Sequence, residues 1–333
     1  MADTLITSEV NLDALGGQTG FLRVPHSVTR SAYGWLPVPI SVVNNGKGPT
    51  VLLMAGNHGD EYEGQIAIAR LCRDLTPDQI QGRIILLPQA NAPAAQAGTR
   101  TSPIDNGNLN RTFPGDPKGT PTEMIAHYIE EVLLPLCDYA VDLHSGGASL
   151  FYPPTLLRNQ GHTPEAAAAL EQLETAFDLP YAWVFQGGGG PGSTARTALG
   201  AANRKGVICV MAELGGAGAV DRDILAQTER GLKRVLHSLG LLPGYAPDAV
   251  RGTRRAATKG SVYAYDTGLF EPFKDIGEDV TVGEIVGLIH LVDTPWCGPI
   301  PVHSPYDGFV LCNRPLAQVQ RGDALFQVAD DVA

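Results

Sequence analysis

Short apolar runs recur along the first 240 or so residues, and segments with apolar residues at helical spacing separate them. The runs at 51–54, 84–87, 139–143 and 207–211 are of strand length and are bounded by glycine, proline or polar residues, which is typical of buried strands. Residues 122–136, 164–177 and 221–239 instead repeat apolar residues with the period of a helix. This alternation predicts an α/β fold, in which helices cover both faces of a parallel or mixed sheet.

Histidine and glutamate stand at the ends of these predicted strands. His58 and Glu61 follow the run at 51–54, where Gly56 lets the chain turn into a helix that we expect to begin near Asp60. His144 ends the run at 139–143 in the same way. A catalytic zinc site uses three protein ligands and leaves one position open. His58, Glu61 and His144 are therefore the predicted ligands of one Zn²⁺ per chain, although Glu61 alone would also fit a residue that only stabilises a helix N-terminus.

Two loops and one further strand end carry other candidates. The long segment 88–116 contains Arg100, Asn110 and Arg111, and an arginine beside an asparagine offers donors that match a carboxylate. A single arginine in a polar loop is more often simply solvated. Residues 186–192 are glycine-rich and suit a loop on the substrate side, with Arg196 after them as a weaker substrate-binding candidate. Glu213 follows the strand run at 207–211 and is a further functional candidate.

The composition narrows the class of partner. The 333 residues include 24 basic and 35 acidic ones, for a net charge of −11, and no basic run is present, which argues against nucleic acid or an anionic membrane. We expect a small-molecule partner. No signal peptide or membrane-length apolar run is visible, so we expect a cytoplasmic protein. The five cysteines are scattered singly, which supports neither a disulfide framework nor a cysteine zinc site.

The composition changes after Leu242. We predict a catalytic domain with N-terminal edge strands at 1–242, a linker at 243–258 and an all-β C-terminal domain at 259–333. Within the tail, residues 280–289 repeat at 319–328 with glycine, acidic and apolar positions in register. The pattern resembles the barrel-sandwich of biotinyl and lipoyl carrier domains, but residues 290–309 between the two halves contain no lysine. We therefore expect the tail to be a cap or an assembly element. As an assembly element it would allow the chain to form a homo-oligomer.

Four motifs together resemble the succinylglutamate desuccinylase/aspartoacylase family, whose members are relatives of the zinc carboxypeptidases. They occur in family order over most of the chain: His58-x-x-Glu61, Asn108-Leu-Asn110-Arg111-x-Phe113, Asp142-Leu-His144 and Glu213-x-Gly215. The resemblance implies a zinc-carboxypeptidase-like mixed sheet flanked by helices, with a small barrel-sandwich-like C-terminal domain. It also implies hydrolysis of the amide bond of an N-acyl amino acid.

The same resemblance implies a role for each candidate. Zinc would activate water, Glu213 would be the general base, and Arg100 would stabilise the oxyanion of the tetrahedral intermediate. Asn110 and Arg111 would hold the α-carboxylate of the substrate. Asp142 could orient a ligand histidine or could be a structural acid at a strand end.

Three other functions stay open at this point. An acylase that acts on a diacid substrate and a zinc carboxypeptidase would share most of these residues, and a non-catalytic binding or carrier protein would use the tail repeat. Few basic residues besides Arg100 and Arg111 lie near the predicted active-site loops. This scarcity favours a neutral acetyl group and an uncharged or cationic side chain over a second carboxylate.

Overall fold

The first 242 residues form a succession of strands and helices. The structure is a computed structural model that describes residues 3–185 and 194–332. The helices of the described chain are α1 (Glu63–Asp74), α2 (Ala92–Ala97), α3 (Pro121–Tyr128), α4 (Pro164–Phe177), α5 (Ala198–Arg204) and α6 (Arg222–Ser238). The strands up to this point are β1 (Thr7–Ser8), β2 (Gly16–Pro25), β3 (Trp35–Asn44), β4 (Thr50–Ala55), β5 (Arg83–Leu87), β6 (Tyr139–His144), β7 (Phe151–Asn159), β8 (Tyr181–Phe185) and β9 (Ile208–Gly216).

The remaining strands belong to the tail. They are β10 (Arg254–Tyr263), β11 (Gly268–Pro272), β12 (Asp279–Val280), β13 (Ile285–His290), β14 (Ile300–His303), β15 (Gly308–Asn313), β16 (Gln318–Val319) and β17 (Ala324–Asp331). Single 3₁₀ turns occur at Pro77–Gln79, Leu109–Arg111, Leu134–Leu136 and Thr194–Arg196. Among the described residues, no helix combines the length and the apolar character needed to cross a bilayer.

A 13-stranded mixed sheet runs through the molecule in the order β1-β2-β3-β5-β4-β6-β9-β7-β8-β10-β17-β15-β12. Its centre, β5-β4-β6-β9, is parallel throughout, whereas β7 runs antiparallel to β9. A separate antiparallel sheet has the order β14-β13-β11-β16. The predicted mixed α/β class is therefore confirmed. The predicted N-terminal edge strands correspond to β2 and β3, but β3 lies between β2 and β5, and β1 pairs with the outer side of β2.

Helices cover both faces of the central sheet, as the sequence predicts. Side chains alternate between the two faces of a strand, so Leu52 and Met54 of β4 pack in one apolar cluster with residues of α3 and α5. Val51 and Leu53 pack on the opposite face with residues of α1, α4 and α6. Because both faces are buried, the polar ends of the strands are the places where the sheet meets solvent.

Two helix boundaries differ from the prediction. Helix α1 begins at Glu63 rather than near Asp60, because residues 57–62 form a loop that packs closely on α2. A Cβ at Gly59 would lie 2.0 Å from the backbone of Ala94, so only glycine fits there. The helix expected at 122–136 is α only to Tyr128 and then passes through a π turn and a 3₁₀ turn. That turn contains Pro135, which has no N–H to donate.

The main sheet continues into the tail without a break. Strand β10 begins at Arg254, inside the predicted linker, and pairs in parallel with β8. Strand β15 pairs with β17 and also with β7, through Asn313 and Phe151. The strands β7, β8, β10, β17 and β15 thereby close a ring that joins the two parts of the chain. The division into domains and linker stays a prediction, with residues 254–258 of that linker in a strand.

The internal repeat of the tail is visible in its backbone. In each half a short strand is followed by a longer one after a turn, β12 by β13 and β16 by β17. Gly283 and Gly322 occupy matching positions with φ of +82° and +94°, a region that glycine enters at little cost. In both turns an acidic side chain, Glu284 or Asp323, accepts a hydrogen bond from a backbone N–H three residues earlier. The repeat in sequence is therefore a repeat in structure.

Candidate active site

Three neighbouring parallel strands bring the predicted site residues to one edge of the sheet. In the pairing of β4 with β6, Ala55 lies opposite Leu143, and in the pairing of β6 with β9, His144 lies opposite Glu213. The loop after β4 carries His58 and Glu61. In open α/β sheets, ligands bind at the carboxyl ends of the strands, and these residues lie at that edge.

His58, Glu61 and His144 converge as the sequence predicts. Each offers one ligand atom, and these atoms all lie within 4.8 Å of one another. Nδ1 of His58 is 2.7 Å from Oε1 of Glu61, and Nδ1 of His144 is 2.9 Å from Oε2 of the same carboxylate. All three side chains are buried. The set has the composition and the compactness of a site for a divalent cation.

The outer ring nitrogens of the two histidines have hydrogen-bond acceptors of their own. Nε2 of His144 lies 2.9 Å from Oδ2 of Asp142, and Nε2 of His58 lies 3.1 Å from Oδ1 of Asn108. Such acceptors keep the proton on Nε2 and direct the lone pair of Nδ1 inward. Two ring lone pairs and a carboxylate then face one point, and a cation is the partner that satisfies all of them. The residues present therefore fit a metal ion.

The pKa shifts agree with a site built for positive charge. Burial opposes the charged form of His144, but Asp142 and Glu61 outweigh burial and raise its pKa well above the usual value. Burial likewise opposes the charge of Glu61, yet His58 and His144 hold the pKa of that carboxyl below its usual range. Negative charge is thus preserved at the centre of the cluster, where a cation would bind.

Glu213 lies beside the ligands and keeps one oxygen free. Its Oε2 is buried and has no hydrogen-bond partner among the described residues. Burial first, and then the charge of Glu61, raises the pKa of Glu213 to about 8. A divalent cation close by would oppose this shift, because it favours the carboxylate form. A carboxyl group whose pKa lies near neutrality and whose oxygen is free can both accept and donate a proton.

Arg100 and Arg111 flank the same site from the long loop. Nη1 of Arg100 is 3.4 Å from Oε1 of Glu61, and about half of the Arg100 side chain is exposed. Arg111 is half-buried, and burial, followed by the charge of Arg100, lowers its pKa. Its Nη1 donates to the backbone carbonyl of Asn110. Two guanidinium groups therefore face the ligand cluster, and their catalytic and substrate-binding roles stay predictions.

Asn110 is buried between the long loop and α5. Its Oδ1 accepts a hydrogen bond from the backbone N–H of Ala198, and its Nδ2 lies 3.4 Å from Nε2 of His144. The carboxamide oxygen is thereby occupied by the protein, and the amino group is the part that remains to donate to a ligand. The role of Asn110 in binding a carboxylate also stays a prediction.

Arg196 is placed differently from the other candidates. Its side chain is exposed, and among the described residues of its segment Thr194 and Thr197 border the active-site cavity, whereas Arg196 does not. The predicted glycine-rich loop at 186–192 lies outside the described residues. The role of Arg196 in substrate binding stays a prediction without a contact to support it.

A cavity of about 600 Å³ extends from the ligand cluster toward the tail. Its near end holds His58, Glu61, His144, Glu213, Arg100, Asn110 and Arg111. Its far end is bordered by residues of the β-ring that we call the ring mouth: Tyr152, Leu157, Trp183, Ser261 and Gln327. The rim beyond the ring mouth includes Arg314 and Asp323. One part of the cavity is thus charged and the other is walled by uncharged residues.

Several of these residues escaped the sequence analysis. Asn108 stands in a motif that draws attention to Asn110 and Arg111, and its position two residues before Asn110 was an available signal. Arg314 and Gln327 lie in the tail, and no local pattern marks them. Arg314 adds a cation to the cavity that the sequence argument did not count; its Nη2 lies 3.2 Å from Oδ2 of Asp323, and its buried Nε has no hydrogen-bond partner among the described residues.

Comparison with known proteins gives concordant matches. Residues 47–239 match the family model of the succinylglutamate desuccinylase/aspartoacylase catalytic domain. The chain is 38% identical over 333 residues to an N-alpha-acetyl-L-2,4-diaminobutyric acid deacetylase of Halomonas elongata, an alignment that covers 98% of this chain and 95% of that protein.

Solved structures are similar over the same length. The product-bound ectoine utilization protein EutE of Ruegeria pomeroyi superposes with a TM-score of 0.93 at 34% identity, over 99% of this chain and all of the other. A succinylglutamate desuccinylase/aspartoacylase of Rhodobacter sphaeroides gives a TM-score of 0.91 at 38% identity, over 98% of this chain and 99% of the other. The likeness therefore includes the tail as well as the central sheet.

Proposed function

We propose that this chain deacetylates N-α-acetyl-L-2,4-diaminobutyrate in ectoine degradation. The chain belongs to the succinylglutamate desuccinylase/aspartoacylase family and is therefore an amide-hydrolysing enzyme. The observation that carries the proposal is the convergence of His58, Glu61 and His144 beside Glu213. This site occurs in a chain of which 98% aligns with a deacetylase of that compound.

The proposed cofactor is one zinc ion per chain. Two imidazole nitrogens and one carboxylate are a donor set that zinc accepts in hydrolytic enzymes, with a fourth position open. Zinc held by His58, Glu61 and His144 would lower the pKa of a water molecule and polarise the carbonyl group of the substrate. Asp142 and Asn108 would keep the two histidine rings in the orientation that presents Nδ1 to the metal.

Glu213 is the proposed general base and general acid. It takes a proton from the attacking water as the water oxygen forms a bond to the acyl carbon. As the bond between that carbon and the amide nitrogen breaks, the same proton passes from Glu213 to the nitrogen. The products are acetate and the free amino acid. The free Oε2 of Glu213, beside the ligand cluster, suits both transfers.

The two loop arginines have separate proposed tasks. Arg100, next to Glu61, would donate to the carbonyl oxygen as negative charge develops on it. Arg111 and the amino group of Asn110 would hold the α-carboxylate, which every N-acyl amino acid carries. These contacts fix the scissile bond relative to Glu213 but do not select among side chains.

The finer description of the fold supports this function. We propose that the mixed sheet has the zinc-carboxypeptidase-like arrangement and that residues 259–333 form a barrel-sandwich-like domain. The three adjacent parallel strand ends support the first point, and the two equivalent halves of the tail support the second. Residues of the tail border the cavity, so little room is left for a long peptide. This arrangement disfavours a carboxypeptidase.

Hydrolysis can be tested directly. The chelated protein is incubated with N-α-acetyl-diaminobutyrate, N-acetyl-aspartate, N-succinyl-glutamate and a dipeptide, before and after zinc is restored. Because diaminobutyrate carries a second amine, the products are separated and quantified by chromatography. We expect zinc-dependent release of diaminobutyrate and acetate. Release of amino acids only from the dipeptide would contradict the proposal and favour a peptidase.

A further inference from the structure

The wall of the cavity next to the general base continues into the ring mouth. In the antiparallel pairing of β7 with β9, Tyr152 lies opposite Gly215. In the same pairing Glu213 lies opposite Thr155, across a register irregularity between Tyr152 and Thr155, and both Glu213 and Tyr152 border the cavity. The hydroxyl of Tyr152 donates to Oε1 of Gln327 over 2.8 Å. Gln327 thus stands one side chain away from the base, although it belongs to β17.

The ring mouth offers dipoles and an aromatic face rather than charges. Its polar groups are the hydroxyls of Tyr152 and Ser261 and the carboxamide of Gln327, and Trp183 supplies an aromatic ring. At the rim, Arg314 forms an ion pair with Asp323, with its Nη2 3.2 Å from Oδ2, whereas its buried Nε has no hydrogen-bond partner among the described residues. Hydroxyl and carboxamide oxygens and an aromatic face stabilise an ammonium group. Among the five ring-mouth residues a carboxylate would meet no cationic side chain, so its charge would be left largely uncompensated.

The length of the substrate determines which of its groups can reach the ring mouth. The acetyl group extends one carbon beyond the reacting carbonyl and must lie beside the ligand cluster. The side-chain ammonium of diaminobutyrate lies at the far end of the molecule from that carbonyl. With the α-carboxylate held at the near end, only the side chain can occupy the ring mouth.

We propose that the ring mouth binds the side-chain ammonium of the substrate and that Gln327 determines selectivity for it. This inference rests on the proposed deacetylase function. Oε1 of Gln327 accepts the Tyr152 hydroxyl with one lone pair, and a carbonyl oxygen can accept a second hydrogen bond with the other. Gln327 is therefore a specificity-determining residue supplied by the tail, and it takes no part in proton transfer.

Charge substitutions at Gln327 test the proposal. The substrates are N-α-acetyl-diaminobutyrate and N-acetyl-2-aminobutyrate, which has the same carbon skeleton without the side-chain amine. Gln327→Lys should lower the ratio of their kcat/KM values about tenfold or more, because like charges would meet at short range. Gln327→Glu keeps the acceptor for Tyr152 and should raise the ratio severalfold. For N-acetyl-aspartate, kcat/KM relative to N-acetyl-2-aminobutyrate should rise in Gln327→Lys and fall in Gln327→Glu.

Gln318 provides the matched control, because it is exposed on β16 and does not border the cavity. Gln318→Lys and Gln318→Glu should leave the ratio at the wild-type value. Circular dichroism checks folding. If Gln327→Lys does not fold, the kcat/KM ratio of Gln327→Glu alone tests the proposal. A wild-type enzyme that hydrolyses both substrates, with a ratio unmoved by folded Gln327 variants, overturns the ring-mouth proposal only. A zinc-loaded wild type that hydrolyses neither substrate overturns the proposed function and this inference together.

Discussion

The two ends of the active-site cavity differ in charge and in how the chain builds them. The near end collects the metal-ligand candidates and Glu213 from the ends of three adjacent parallel strands, and Arg100 and Arg111 from the long loop. The ring mouth collects uncharged side chains from β7, β8, β10 and β17, and the last two of these strands belong to the tail. We infer that the near end performs the chemistry common to all N-acyl amino acids and that the ring mouth selects among them.

Loss of a metal ligand should have the largest effect. We expect His144→Ala to abolish zinc binding and activity on every substrate, because each ligand makes one of only three protein bonds to the metal. Metal analysis after dialysis is the measurement, and His162→Ala, at an exposed position, is the matched control that should keep the metal. Full zinc content in His144→Ala would remove that residue from the site.

Loss of the general base should lower activity nearly as much but should leave the metal bound. Glu213→Gln keeps the shape of the side chain and loses its ability to take up a proton. We expect normal zinc content and a kcat lower by about two to four orders of magnitude, the usual contribution of a positioned base. Turnover close to that of the wild type would show that another group performs the proton transfers.

Loss of the contact to the α-carboxylate should lower kcat/KM by a smaller factor, and by the same factor for every substrate. Arg111→Ala removes a charge-assisted hydrogen bond, worth about 1.5–3 kcal/mol, so we expect kcat/KM to fall about 10–100-fold. The fall should be the same for N-α-acetyl-diaminobutyrate and N-acetyl-2-aminobutyrate, because both carry the α-carboxylate. If Arg111→Ala changed the ratio of the two kcat/KM values instead, the near end would take part in substrate selection. The two ends of the cavity would then not have separate roles.

The smallest effect is expected at the link between the two ends. Tyr152→Phe removes the hydroxyl that orients Gln327, a neutral hydrogen bond worth about 1 kcal/mol. We expect a change of about fivefold or less in kcat/KM for N-α-acetyl-diaminobutyrate and almost none for N-acetyl-2-aminobutyrate. An equal loss on both substrates would indicate that Tyr152 supports catalysis rather than the ring mouth.

The sequence predicts the near end well because its signals are local. A buried strand can be recognised from its own apolar residues, and the carboxyl ends of parallel strands lie at one edge, so His58, Glu61 and His144 could be expected to meet. The general features of the central sheet follow in the same way. Asn108 stands inside the recognised motif, but its contact with Nε2 of His58 becomes visible only in the folded structure.

The ring mouth could not be predicted because it depends on pairings between distant strands. β7 is interrupted by Pro153 and Pro154, β8 is an apolar run of five residues, and nothing within β10 or β15 indicates that these strands would join them. The repeat at Gly283 and Gly322 revealed the internal symmetry of the tail but not its attachment to the main sheet. Gln327 therefore becomes a candidate only when the β15–β7 and β10–β8 pairings are known.

The most direct test of the account is the comparison of kcat/KM for N-α-acetyl-diaminobutyrate, N-acetyl-aspartate and N-succinyl-glutamate with the zinc-loaded wild-type enzyme. The account predicts a clear preference for the first, because the side chains of N-acetyl-aspartate and N-succinyl-glutamate would each place a carboxylate against the uncharged residues of the ring mouth. A clear preference for either diacid would contradict the assignment of the substrate and of the ring mouth.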